Sequence, residues 1–190
     1  MFTYIGRIDP NQKGIDLIAE VIPEIIEKGG LFVLLGTGVK EWEEKLKDLA
    51  ETPKLKDKFI CLNKFDLNIA NLLYSGSDFL VVPSKYEPCG LIQMIAVWYG
   101  TLPIVREVGG LKDAITDGIN GISFKNYTKE DFLAAIEKAF KFYPSKNKMD
   151  EMVVSAMNDD FCWGDSAKKY LELYKKVAEE RKSAHESVHF

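Results

Sequence analysis

The segment "DFLVVPSKYEPCGLIQMIAVWYG", residues 78–100, joins a short β-prone apolar run to a second, longer apolar run. Pro83 ends the first run, Pro88 suits the first turn of a helix, and Gly90 allows a close backbone approach. The segment therefore predicts a buried strand, a loop and a buried helix. Glu87 lies in that loop, at the start of the helix, where the helix dipole favours an ionised carboxylate.

The same alternation of short strands and helices continues on both sides of this segment. Apolar runs without strict polar alternation occupy 2–6, 31–36, 58–62, 78–83, 102–106 and 121–124. Such runs are typical of parallel sheets that are buried on both faces. Six strands with intervening helices predict a doubly wound, mainly parallel six-stranded α/β sheet of the Rossmann-like kind, with right-handed crossovers. After residue 125 the pattern is wholly helical, with Thr128 as an N-cap and a further helix over 146–158.

Composition excludes several classes of function. The chain has 190 residues and a net charge of −4, so no basic field is present to attract nucleic acid. No apolar run reaches membrane-spanning length and the first residues have no signal-peptide layout, so we expect no membrane partner and a cytoplasmic protein. The cysteines, at 61, 89 and 162, form no CxxC pair, and both histidines lie in the last six residues. This predicts free thiols and no metal site.

In doubly wound sheets ligands bind beyond the carboxyl ends of the strands, so the residues that follow each strand are the candidates. After the first strand, Gly6 frees the backbone, Arg7 and Lys13 flank a turn, and Gly14 opens the next helix. Two cations near a helix N-terminus suit a diphosphate. The alternative is a solvated turn in which the two cations are close by chance.

Glycines follow the second and fifth strands. Gly36 and Gly38 either let the backbone approach a ligand or make a tight turn. Gly109 and Gly110, anchored by Leu111 at the start of a helix, form an amide cradle suited to phosphate, or again a tight turn.

Glu87 follows the fourth strand and has two interpretations. A carboxylate can accept two sugar hydroxyls at once, which predicts a sugar site in the crevice. An acidic N-terminal cap of the next helix is the alternative, but it leaves the adjoining Pro-Cys-Gly run unexplained.

Taken together, these stretches match a known family. "GRIDPNQKGIDL", "LLGTG", "VPSKYEPCGL", "YGTLPIVREVGGLKDAI" and "FCW" fall in the order and spacing of the second half of bacterial glycogen synthases and plant starch synthases. The chain resembles these retaining glycosyltransferases of family 5, which have the two-domain GT-B fold, over about residues 2–178. The EPCGL and GTLPIVR…GGL blocks are specific, whereas the GxG is not.

The resemblance implies the donor-binding half of a glucosyltransferase that moves glucose from ADP-glucose or UDP-glucose to the non-reducing end of an α-1,4-glucan. It implies catalytic roles for Arg7 and Lys13 at the diphosphate and for Glu87 at the glucose hydroxyls, with no metal and no cofactor. It also implies that the Cys89–Leu91 backbone lines the sugar pocket and that Phe65 lies against the adenine. With the glycines above, the predicted donor-binding residues are Gly6, Gly36, Gly38, Phe65, Cys89, Gly90, Leu91, Gly109, Gly110 and Leu111.

Two departures from the family pattern matter. Many related transferases carry a second Glu, eight positions after the first, that binds ribose; this chain has Ile95 there, so the ribose must be held otherwise. The family's acceptor half, with its glycine-rich lysine motif, has no counterpart in this sequence. We therefore expect glucan to bind through a missing amino-terminal domain and the chain alone to be inactive. The alternatives are a nucleotide-sugar-binding module without turnover, or a GT-B transferase with another donor; a plant origin would imply the plastid.

Three regions are predicted: a donor-binding domain over 1–164, a crossover helix over 165–182, and a disordered tail over 183–190. In the resembling family the last helix packs against the amino-terminal half. Without that half, we expect the helix to lie imperfectly on its own domain or to pair with a second copy in a homodimer. A simple surface helix is the alternative. Its apolar face consists of Ala167, Tyr170, Leu171, Tyr174 and Val177.

Overall fold

The structure, a computed structural model, describes residues 1–186, and the surroundings of side chains from 1 to 181. The chain divides into two compact units, one over Met1–Asp159 and one that begins at Asp160. The first unit thus ends at Asp159 and not at 164, where the sequence placed the boundary.

Strands and helices alternate through most of the first unit. The strands are β1 (Phe2–Ile5), β2 (Phe32–Leu35), β3 (Phe59–Leu62), β4 (Phe79–Val82), β5 (Leu102–Arg106) and β6 (Ile122–Phe124). The helices are α1 (Ile15–Glu27), α2 (Lys40–Ala50), α3 (Leu67–Gly76), α4 (Ile92–Trp98), α5 (Gly109–Ala114), α6 (Lys129–Phe142) and α7 (Lys146–Met157). All six predicted strands are present, and the predicted helix over 146–158 is α7.

The six strands form one parallel sheet in the order β3-β2-β1-β4-β5-β6, which confirms the predicted doubly wound α/β fold. The strand order reverses between β1 and β4, where Phe2 pairs with Phe79 and Thr3 with Leu80. Loops on either side of such a switch point diverge and leave a crevice at the carboxyl edge. The loops after β1 and β4 therefore flank the expected ligand site.

Helix packing follows the apolar pattern of the sequence. α1 buries one continuous face against the sheet, made of Ile15, Leu17, Ile18, Val21, Ile22, Ile25 and Ile26. α6 begins as predicted, because the Thr128 hydroxyl accepts from the amide of Asp131. These two helices pack together on one side of the sheet.

The second unit contains one long helix, α8 (Trp163–Glu186). Three aromatic side chains of α8 contact one another along the helix. The ring centroids of Trp163 and Tyr170 are 6.4 Å apart, and those of Tyr170 and Tyr174 are 6.3 Å apart. Residues 183–186 are helical, which corrects the tail predicted from 183: Ala and Glu favour helix, and no Gly or Pro stops it there. The rest of that predicted tail, 187–190, lies outside the described residues. Among the described helices, none has both the length and the apolar character needed to cross a membrane.

Candidate functional site

Lys13 and Glu87 meet at the carboxyl edge of the sheet, where β1 and β4 lie side by side. Lys13 Nζ donates to Glu87 Oε2 at 2.6 Å, and Ser84 Oγ donates to the same oxygen at 3.2 Å. The Lys13 and Glu87 side chains are only 21% and 8% exposed. A buried carboxylate needs hydrogen-bonding partners, and here a cation and a hydroxyl supply them. Two predicted site residues, 74 positions apart in sequence, are therefore in direct contact.

The loops after β1 and β4 are also held together through their backbones. Gly14 has a φ of +72°, and a Cβ there would overlap the carbonyl oxygen of Pro83. The amide of Lys85 donates to the carbonyl of Gln12 at 2.8 Å. Glycine is required at 14 on two counts, because other residues disfavour this φ and because the space is already filled. This close approach sets Lys13 beside Glu87.

Arg7 lies in the loop after β1 but outside the ion pair. Its guanidinium donates to Gln12 Oε1 at 2.6 Å and lies 3.4 Å from an oxygen of Asp9. Its side chain is 59% exposed, so its charge faces the rim of the crevice. Below it, the buried Tyr4 hydroxyl donates to the Arg7 carbonyl at 2.6 Å. Burial raises the pKa of Tyr4 far above its ordinary value, so this hydroxyl keeps its proton and fixes the Arg7 backbone.

The two glycines after β5 pack against the backbone of the Glu87 loop. A Cβ at Gly109 would overlap the carbonyl oxygen of Glu87, and one at Gly110 would overlap that of Cys89. The Gly110 amide donates to the Glu87 carbonyl at 3.1 Å, while Leu111 is fully buried and its amide also donates within the protein. Close backbone packing therefore explains why these two residues are glycine. Of the three amides in the predicted phosphate cradle, those of Gly110 and Leu111 already donate to carbonyls of the protein. A phosphate contact from this turn stays a prediction.

The turn that contains Cys89 and Gly90 is held from below by Gln93. Gln93 is fully buried, and its Nε2 donates to the carbonyls of Cys89 and Gly90 at 3.1 and 2.9 Å. Gly90 has a φ of +74°, and a Cβ there would lie 2.6 Å from Gln93 Oε1. The side chains of Cys89 and Leu91 are exposed. Sequence reasoning missed Gln93, since an amide inside an apolar helical run has no distinctive spacing.

The glycines after β1 and β2 also allow close backbone packing. A Cβ at Gly36 would overlap the carbonyl oxygen of Gly6, and one at Gly38 would overlap that of Ile8. Ile8 and Gly38 form an isolated parallel bridge that extends the β1–β2 pairing into the loops. The Gly38 amide donates to Glu43 Oε1 at 2.7 Å. The structure therefore explains these glycines by loop packing, and their contact with a donor stays a prediction.

A cavity of about 410 Å³ opens beyond the ends of β1 and β2, between α3 and α4, and Gly6, Arg7 and Gly36 border it. Its walls are mainly apolar, and Phe65 lies at its edge with 82% of its surface exposed. Ile95, at the position where related transferases carry the ribose-binding Glu, is part of the wall. The apolar lining residues include Ile5, Leu35, Phe65, Leu67, Tyr74, Ile92 and Ile95. The cavity is suited to a flat, largely apolar group such as a nucleobase.

A polar cluster behind the crevice supports both loops. The Tyr127 hydroxyl donates to Asp16 at the start of α1, and Lys85 Nζ donates to the same carboxylate at 3.0 Å. The cations of Lys85 and Arg106 lie over the Tyr127 ring, at 4.8 and 5.6 Å from its centroid. Arg106 also donates to the carbonyls of Ser84 and Lys85, just before Glu87. No sequence motif marks these residues, because their contacts span up to 111 positions.

Fold and site together define a class of protein. A parallel sheet in this order, with a cation and a buried carboxylate at its switch point and an apolar cavity beyond β1 and β2, is a Rossmann-like domain of the GT-B fold. The chain belongs to the glycosyl transferases group 1 family, whose model matches residues 1–153.

Particular relatives narrow the comparison. The chain is 40% identical over 181 residues to a glycogen synthase of Thermodesulfovibrio yellowstonii, covering 95% of this chain and 36% of that protein. It is similar to the catalytic domain of starch synthase IV from Arabidopsis thaliana, bound to ADP and acarbose, with a TM-score of 0.83, 37% identity, and coverage of 92% and 38%. It shares its fold with the C-terminal domain of a glycosyl transferase group 1 protein from Francisella tularensis (TM-score 0.67, 20% identity, coverage 83% and 82%). The chain thus spans little more than a third of the curated relatives it matches.

Within the described residues, no group of three or more His, Cys, Asp or Glu side chains is arranged to hold a metal ion. The cysteines at 61, 89 and 162 are free thiols.

Proposed function

We propose that this chain is the donor-binding half of a retaining glucosyltransferase that transfers glucose from ADP-glucose to the non-reducing end of an α-1,4-glucan. One observation carries the proposal: a lysine and a buried carboxylate are in contact beside an apolar cavity, at the switch point of the sheet. A nucleotide sugar consists of a base, a ribose, a diphosphate and a sugar, and this crevice offers a matching group for the base, the diphosphate and the sugar. The 40% identity to a glycogen synthase supports this choice of reaction.

The proposed roles follow from chemistry and position. Lys13 and Arg7 stabilise the negative charge that grows on the diphosphate as its bond to the glucose carbon breaks. Glu87 accepts hydrogen bonds from glucose hydroxyls, while the backbone of Cys89, Gly90 and Leu91 lines the sugar site. Gly109 and Gly110 bring their turn close to the same site. Lys13 and Arg7 supply the positive charge at the leaving group, so the proposal includes no metal and no cofactor.

The base is proposed to lie in the cavity, with Phe65 against its face. The cavity of about 410 Å³ is large enough for a purine. Its apolar walls favour stacking against the base rather than recognition of the base by hydrogen bonds. The similar starch synthase IV structure contains ADP, which favours adenine over uracil. With Ile95 and Ile92 in the wall, the ribose has no carboxylate from α4, so we assign its hydroxyls to the polar border, where Asn71 and Asp66 lie.

The acceptor is proposed to bind elsewhere. The curated relatives are more than twice as long as this chain, which covers little more than a third of their length. We therefore propose that the α-1,4-glucan binds to an amino-terminal half. The domain on its own is then expected to bind donor without turnover. Its free thiols suit a reducing compartment, and we propose the cytoplasm, or the plastid for a plant protein. A homodimer through α8 stays a proposal.

Calorimetric titration of the domain tests this function. We expect binding of ADP-glucose and ADP, and at least tenfold weaker binding of UDP-glucose and UDP, because the smaller base leaves part of the cavity unfilled. Tighter binding of UDP-glucose than of ADP-glucose would change the assigned donor to UDP-glucose. If none of the four nucleotides binds, the proposed function is refuted. Glucan extension by the domain together with a supplied amino-terminal half would separate a transferase from a binding module.

A further inference from the structure

In the free protein, the two groups assigned to the donor are already paired with each other. Lys13 Nζ and Glu87 Oε2 are 2.6 Å apart, and both side chains are largely buried. A bound diphosphate must therefore share the single charge and the three N–H donors of the Lys13 ammonium with Glu87, which weakens the pair.

No other cation takes Lys13's place at this carboxylate. Arg7 binds Gln12 and Asp9, and it is exposed. Lys85 is held by Asp16 and the Pro10 carbonyl. Arg106 donates to the backbone carbonyls of Ser84 and Lys85. Within the described residues, the partners of the Glu87 carboxylate are Lys13 and the Ser84 hydroxyl.

Withdrawing a cation from a buried carboxylate is costly unless new donors replace it. An intact nucleotide sugar brings both parts of the exchange: its diphosphate takes Lys13, and its sugar hydroxyls donate to Glu87. A nucleoside diphosphate without sugar takes Lys13 and leaves Glu87 facing a second negative charge. The same pair thus responds differently to the donor and to the nucleotide that remains after transfer.

Building on the proposed function, we infer that the Lys13–Glu87 ion pair discriminates between the intact sugar nucleotide and the released nucleoside diphosphate. The pair lowers the affinity for the diphosphate alone, whereas the complete donor replaces the lost contact with its sugar hydroxyls. Release of the nucleotide after transfer is favoured for the same reason, because Glu87 recovers its cation when the diphosphate leaves.

The test is a titration of ADP and ADP-glucose against the wild-type domain and Glu87→Gln. The variant keeps the shape of the side chain and removes its charge, so it frees Lys13 and ends the repulsion of the diphosphate. We expect ADP to bind Glu87→Gln about tenfold more tightly than wild type. The ratio of ADP-glucose affinity to ADP affinity should fall by about tenfold or more, because the sugar hydroxyls lose an ionic acceptor.

Two variants control for other causes. Glu107→Gln removes the same charge at the same edge of the sheet, from a side chain that accepts from Ser123, and should change ADP affinity less than about twofold. In a Lys13→Gln background, Glu87→Gln no longer frees a lysine and only ends the repulsion between Glu87 and the diphosphate, so its effect on ADP should be smaller than in wild type. If Glu87→Gln does not fold, Glu87→Asp draws the carboxylate back from Lys13 and should tighten ADP binding about threefold.

The outcomes separate the two proposals. ADP binding that is equal or weaker in the folded Glu87 variant, with ADP still bound by wild type, refutes the discrimination and leaves the donor site standing. Equal effects of Glu107→Gln and Glu87→Gln refute it too. No binding of ADP or ADP-glucose to either protein refutes the proposed function and this inference together.

Discussion

The carbonyl oxygen of Pro83 occupies the space that a Cβ of Gly14 would need, so the loop after β1 rests directly on the end of β4. The contact joins two segments that are far apart in sequence, and it determines where Lys13 lies relative to Glu87. The geometry of the proposed donor site thus depends on backbone packing as much as on the charged side chains.

Gly14→Ala should destabilise the domain by about 2 kcal/mol or more, because it combines a left-handed φ with an overlap against backbone. Gly29→Ala is the matched control, since Gly29 has a φ of +86° and no atom within 4 Å of the added Cβ. That control should cost about 1 kcal/mol. Urea denaturation measures both, and equal losses would mean that the Pro83 contact contributes nothing.

Gly110→Ala should weaken ADP-glucose binding, because the new Cβ pushes on the Cys89 carbonyl and displaces the turn that carries Glu87. We expect a loss of about tenfold or more in affinity together with a loss of stability, because the overlap is again with backbone. Gly76→Ala, at the end of α3 where no atom lies within 4 Å of the added Cβ, should leave binding unchanged. Calorimetric titration of both variants with ADP-glucose measures the affinities. Normal donor binding by Gly110→Ala would mean that this turn does not position the donor site.

Lys13→Ala should lower both donor affinity and stability. The substitution leaves Glu87, which is 8% exposed, with Ser84 as its remaining partner, at a cost of about 2 to 3 kcal/mol in the free energy of unfolding. Adding Glu87→Gln to it should recover most of that loss. Lys112→Ala, in the exposed part of α5, serves as the control and should be close to wild type. A Lys13→Ala domain as stable as wild type would contradict the structural part of this account.

Much of the fold follows from local pattern, and the contacts within the site do not. The six apolar runs and their glycine and proline boundaries predict the strands, because each depends on residues close in sequence. The Lys13–Glu87 pair and the Tyr127–Asp16 bond join residues 74 and 111 positions apart, so only the folded chain brings them together. Gly36, Gly38, Gly109 and Gly110 had two interpretations each, and their close backbone packing becomes visible only in the folded chain. Trp98 belongs to the second apolar run of residues 78–100, yet it is 52% exposed at the last residue of α4.

Tyr127→Phe tests the polar cluster behind the site. The ring stays over Lys85 and Arg106 while the bond to Asp16 is lost, so the free energy of unfolding should fall by about 1 kcal/mol near neutral pH. Tyr143→Phe, at an exposed ring, is the control and should be neutral.

The effect of Tyr127 should depend on pH. Burial, and then the bond to the Asp16 carboxylate, raises the pKa of Tyr127 above its ordinary value of 10.0. The folded protein therefore holds this proton more tightly than the unfolded chain does, and the contribution to stability is present below pH 10.0 and lost as the pH rises above it. Denaturation curves at several alkaline pH values should show wild type losing its advantage over Tyr127→Phe. A constant difference above pH 10.0 would contradict this.

The most direct test of the donor site is to follow the backbone amide signals of the labelled domain by NMR during titration with ADP-glucose. We expect the largest shifts in three regions: the loop after β1 from Gly6 to Gly14, the loop after β4 from Ser84 to Leu91, and the cavity wall around Phe65. Shifts confined to another region, such as the cavity at the opposite edge near Phe2 and Phe140, or no shifts at all, would contradict this expectation.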